Sequence, residues 1–98
     1  MRNIGDRIGA VLSATDTEVK LIGYGTYQGN HIPPRDVGGF NLGIPNPKLV
    51  MDDGTVAWGC ECWWGDETAM KKKFDGLKII MVDMVAHRAA TEQEVSDG

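Results

Sequence analysis

The chain has 98 residues, 42% hydrophobic and 24% charged, with ten basic against fourteen acidic side chains and a net charge of −4. That length suits one domain, 1–98, which buries roughly 60–70% of its unfolded surface, and the composition lies outside the disordered class. The only basic run is Lys71-Lys72-Lys73, which disfavours nucleic acid as a partner, because phosphate-backbone binding depends on clustered Lys and Arg. No stretch approaches the ~20 apolar residues of a membrane span, and Asp6 and Arg7 interrupt any signal-type apolar run. The expectation is a cytoplasmic protein with no membrane association and no cofactor.

Segments 7–13 (RIGAVLS) and 18–27 (EVKLIGYGTY) are apolar-rich runs of strand length, parted by the turn-type cluster Ala14-Thr15-Asp16-Thr17. They predict a first hairpin. Residues 28–47 hold all four prolines and four glycines with no clear period. They predict a long loop, either functional in itself or wrapped over an open end of the sheet with Phe40, Leu42 and Ile44 in the core. KLVM (48–51), Asp52-Asp53-Gly54 and TVAWGCECWW (55–64) predict a second hairpin around a tight Asp-Gly turn.

Asp66 as N-cap, Glu67 in the first turn, Lys71 to Lys73 in the last and Gly76 beyond predict a short helix over 66–75. Its Met70, Phe74 and Leu77 would face the sheet. LKIIMVDMV (77–85) reads as a buried strand, and 87–98 as a polar tail, partly helical and frayed. The fold class is therefore α+β: a small twisted antiparallel sheet of about five strands, curled toward a partly open SH3-like barrel, with one short helix across it.

All three tryptophans and both cysteines fall in Trp58-Gly59-Cys60-Glu61-Cys62-Trp63-Trp64. Read as one strand, side chains alternate, so Trp58, Cys60, Cys62 and Trp64 share one apolar face and Glu61 and Trp63 the other. Burying one indole, about 200 Å² at ~25 cal/mol per Å², contributes up to roughly 5 kcal/mol, which makes Trp58 and Trp64 core residues. Gly23 and Gly25 on the partner strand leave room for such a ring.

Cysteines between buried tryptophans are inert. Zinc would need two ligands beyond Cys60 and Cys62, and His31 and His87 are the only histidines. The outer face carries Glu61 and Trp63 beside Lys20, Ile22, Tyr24 and Thr26, the composition of a contact surface. Unless the helix or the long loop covers Trp63, the candidate binding residues are Trp63, Glu61, Tyr24 and Tyr27, with His31, Arg35, Phe40 and Asn46 from the loop region. Arg35, the loop's one positive charge, suits an acidic group on a protein or small ligand.

The stretches GDRIGAVLSATDTEVKLIGYGTYQG and GIPNPKLVMDDGTVAWGCECWWGDE, the second with its GCECWW motif, resemble a group of short bacterial and bacteriophage reading frames to which no activity is assigned. The resemblance spans most of the chain and implies a bacterial or phage source, where an accessory inhibitor or a ligand-sequestering protein is the associated role. The residues themselves point to a non-enzymatic binding protein, with exposed edge strands that could support a homodimer. Two other readings stay open: a small thiol- or metal-dependent protein using Cys60 and Cys62 with His31 or His87, and a structural subunit of a larger assembly.

Overall fold

A computed structural model describes residues 3–34 and 43–97, with side chains through residue 90. Five strands lie in the order β4-β3-β2-β1-β5, all neighbours antiparallel: β1 (Arg7–Ala14), β2 (Glu18–His31), β3 (Asn46–Met51), β4 (Val56–Trp58) and β5 (Trp63–Asp66). A sixth, β6 (Lys78–Met81), runs parallel to β2 along Glu18–Leu21. Two helices, α1 (Glu67–Lys73) and α2 (Met84–Asp97), complete an α+β domain whose sheet is not closed into a barrel. No helix among the described residues is long and apolar enough to cross a membrane.

Both hairpins form. Asp52-Asp53-Gly54 turns back as its chemistry requires: Met51 N–H donates to the Thr55 carbonyl at 2.8 Å, and Gly54 takes a φ of 91°. Helix α1 is capped by Asp66, whose carboxylate accepts from Ala69 N–H at 2.9 Å. Met70 and Phe74 pack with Val11, Val19 and Leu21 on one face of the sheet. On the other face Ile8, Ala10, Ile22, Leu49, Met51 and Ala57 enclose Met84 from the start of α2.

Several expectations are corrected. The sheet has six strands rather than about five, one of them parallel, and two helices rather than one. Residues 55–64 are not one strand: Glu61 N–H donates to the Trp58 carbonyl at 2.8 Å, closing a β-turn between β4 and β5. Residues 77–85 are not a buried strand, because Asp83 ends the extended run by accepting from Val85 and Ala86 N–H, so that α2 begins at Met84. The tail, expected to be partly helical, is helical as far as Asp97.

The 28–47 loop is shortened from both ends, since β2 runs on to His31 and β3 starts at Asn46. Ile44 is exposed instead of plugged into the core, while Phe40 and Leu42 lie outside the described residues. The glycine gap is not filled by an indole. Met51 lies over Gly23, with its Sδ 3.3 Å from where a Cβ would stand, and the β3 backbone at Val50 and Met51 occupies the space above Gly25.

Register slips at Ala10/Val11 and Val11/Ser13 explain why simple alternation fails along β2. Tyr24 joins Val19 and Leu21 on the α1 face, and Ile22 joins the opposite cluster. One extra residue in a bulge inverts every side chain beyond it.

Candidate functional site

The Trp-Cys turn joins β4 and β5, the two ends of the five-strand path, and its pieces have separate fates. Trp58 is buried. Its carbonyl accepts from Glu61 N–H and from Cys62 Sγ at 3.4 Å, while Gly59 N–H donates to the Pro47 carbonyl at 2.9 Å. A Cβ on Gly59 would stand 2.7 Å from the Pro47 ring, so only glycine permits this approach. Trp64, half-buried, stacks on Tyr27 with centroids 5.6 Å apart and planes within 8°.

Glu61 is not a surface recognition residue. Its side chain is 5% exposed and forms a two-pronged ion pair with Arg88 of α2, at 2.6 Å from Nη2 to Oε1 and 2.8 Å from Nε to Oε2. Arg88 Nη2 also donates to the Val56 carbonyl at 2.8 Å, and Glu61 Oε1 accepts from Trp58 N–H at 3.1 Å. Met84 and Arg88, one helical turn apart on α2, thus dock the helix through an apolar anchor and a charged clamp. The sequence signal for this clamp is the i, i+4 spacing after the Asp83 cap.

The thiols are not core residues in the sense of the strand reading: Cys60 is exposed and Cys62 half-buried. Burial, then the Glu61 and Cys60 charges, push the Cys62 thiol up to about 12, and burial and Glu61 also raise Cys60. Both stay protonated at neutral pH, the opposite of an activated nucleophile. Among the described residues no three His, Cys, Asp or Glu side chains are grouped to hold a metal ion.

Trp63 is 75% exposed on the edge strand β5. Its ring stands between two clefts. The larger, about 900 Å³, runs along Leu12–Asp16 past Trp63 and Asp66 to Met70, Lys73 and Phe74 of the α1 region. The smaller, about 540 Å³, lies over the Gly59–Cys62 turn. β5 pairs with β1 only from Ile8 to Val11, so the edge of β1 beyond Val11 enters the larger cleft beside the indole with no strand against it among the described residues.

The other expected residues are not gathered around Trp63. Tyr24 lies on the α1 face, with Lys71 Nζ 4.8 Å from its ring centroid, whereas Tyr27 is on the opposite face with its hydroxyl donating to Asn30 Oδ1 at 2.7 Å. His31 and Asn46 pair across β2 and β3 at the far end of the sheet. There His31 Nε2 meets the Gln28 carbonyl at 2.9 Å and Asn46 Nδ2 donates to the Ile44 carbonyl at 3.0 Å. Arg35 and Phe40 lie outside the described residues. Leu12, Met70 and Lys73, which line the cleft, were missed because nothing local to them marks a site. Only the return of β5 to β1 brings them to Trp63.

A charged cluster crosses the same face near Tyr24. Arg7 binds Asp52 through two bonds of 2.7 Å and Glu67 through bonds of 3.1 and 3.0 Å, and Lys71 approaches Glu67 at 3.4 Å. The guanidinium holds both carboxyls below the usual carboxylate range. This ties β1, the β3–β4 turn and the first turn of α1 together. No protein-family model, curated protein or solved structure matches the chain.

Proposed function

We propose that the protein is a non-enzymatic binding domain that captures an extended segment of a partner protein in the cleft bounded by Trp63, the open edge of β1 and α1. The observation that carries this reading is the exposed Trp63 ring on an edge strand, at the mouth of a cleft of about 900 Å³. An indole left in water forgoes up to roughly 5 kcal/mol of burial, and an occupant that covers it recovers part of that. An extended segment also satisfies the main-chain groups of an open strand edge, the mode by which sheets accept an added strand.

The strand order, with both ends of the five-strand path joined by one short turn, fits an SH3-like barrel left open, an architecture whose surface aromatic residues suit peptide contact. Raised thiol pKa values weigh against the thiol-dependent alternative. Two free cysteines fit a reducing compartment such as the cytoplasm. Capture of a partner's strand would suit the accessory-inhibitor role that the bacterial and phage resemblance implies.

The test is selection from a random-peptide display library with wild-type protein and Trp63→Ala side by side. The proposal expects wild type to enrich peptides with apolar residues at alternate positions and Trp63→Ala to lose them. Enrichment of the same peptides by both proteins would refute the site.

A further inference from the structure

The edge formed by β6 lies on the far side of β2 from β1 and from Trp63 on β5. Lys78 N–H donates to the Thr17 carbonyl at 3.0 Å and Val82 N–H to the Leu21 carbonyl at 2.9 Å. Residues 78, 80 and 82 therefore turn their backbone groups toward β2, and alternation turns the N–H and C=O of Ile79 and Met81 outward. No described strand lies there. Ile79 and Met81 are 54% and 63% exposed, and Val85 at the start of α2 is exposed as well.

Helix α1 packs on β1 and β5 and leaves Ile79 and Met81 unroofed. Ile79-Ile80-Met81-Val82 contains no charge, proline or glycine, so apart from its shortness and Lys78 at its start this edge carries none of the devices that keep lone edges apart.

We propose that β6 pairs antiparallel with β6 of a second copy of this chain, about a two-fold axis through Ile80. The pairing geometry restricts the register, because an outward-facing residue must oppose another outward-facing one. With the axis at Ile80, Ile79 of each copy exchanges two hydrogen bonds with Met81 of the other, Ile80 faces its own copy, and Lys78 and Val82 pair at the margins. Moving the axis to Met81 would set Ile79 against Asp83, the cap of α2. Moving it to Ile79 would set Met81 against Leu77, whose N–H is already donated to the Phe74 carbonyl at 3.2 Å, so the first register alone matches the apolar stretch to itself with its outward groups open, the self-complementarity that a two-fold interface requires.

The exposed parts of Ile79, Met81 and Val85 amount to on the order of 300 Å² per copy. With the backbone edges, the two copies bury at most roughly 1,000 Å² in total, at or below the lower bound of specific interfaces. An interface of that size suits a weak, reversible dimer. Trp63, on β5 beyond β1, lies outside this interface.

Sedimentation velocity over micromolar to submillimolar concentrations tests the pairing on the full chain. Wild type should pass from monomer to dimer, Met81→Lys and Ile79→Lys should each raise the dissociation constant at least about tenfold, and Trp63→Ala should leave it unchanged. Far-UV spectra check that the lysine variants fold. Ile80→Cys, read by oxidative cross-linking, probes the register without a charge and should form covalent dimers at least about tenfold faster than wild type. A wild type that stays monomeric throughout, a dimer that ignores both lysines, one abolished by Trp63→Ala, or no faster cross-linking would each overturn the proposal.

Discussion

Arg88→Ala removes the charged partner that Glu61, with its side chain 5% exposed, has among the described residues, leaving it there with the Trp58 N–H bond. Breaking a buried ion pair costs about 3–5 kcal/mol. The Arg88 side chain is itself 25% exposed, so water can partly replace it and the expected loss is about 2–3 kcal/mol. In a chain of this length that lowers Tm by roughly 10–20 °C. Glu61→Gln keeps the shape and an acceptor for Trp58 N–H, so its cost should be smaller, about 1–2 kcal/mol. Urea unfolding followed by tryptophan fluorescence gives both values, and the double variant gives their coupling, expected at about 1–2 kcal/mol. A loss below about 0.5 kcal/mol for Arg88→Ala would refute the clamp.

Trp58→Ala should cost about 3–5 kcal/mol and leave little folded protein, whereas Trp63→Ala should change stability by no more than about 0.5 kcal/mol; thermal melts in the reverse order would overturn the placement of the two rings. Thiol titration near neutral pH should find Cys60 modified well before Cys62, whose reaction keeps accelerating as pH rises toward its value of about 12; equal rates would show that the turn does not bury Cys62. Asp52 and Glu67 have folded pKa values depressed by Arg7. Their contribution is therefore complete above the unfolded carboxylate pKa near ~4 and lost as pH falls through the folded values. The stability gap between wild type and Arg7→Leu should shrink below pH ~4, and a gap constant down to pH ~2 would contradict the network.

Local chemistry made several elements legible. Asp-Gly specified its hairpin, Asp66 capped α1, and the Met70 and Phe74 spacing gave the face that packs on the sheet. What alternation could not supply was phase. The bulge opposite Ala10 and Val11 moves Tyr24 to the α1 face, and the Trp58–Glu61 turn splits a run that looked continuous. Trp63 was identified as the residue to watch, and its exposure depends on the edge position of β5, a tertiary fact. Glu61 looked like a solvent-facing carboxylate because its partner, Arg88, lies 27 residues away on a helix whose only early signal is the Asp83 cap. The apolar run before that cap read as buried because four apolar residues in a row carry no mark of which edge they occupy.

The central claim is that partner contact takes place at Trp63 and the adjoining β1 edge. Titrating a library-selected peptide into ¹⁵N-labelled protein and following amide and indole resonances tests it most directly. The account predicts that the Trp63 indole and the amides of Leu12 to Ala14 move together and saturate at one equivalent. Movement centred instead on Tyr27, His31 and Asn46, with Trp63 unchanged, would contradict it.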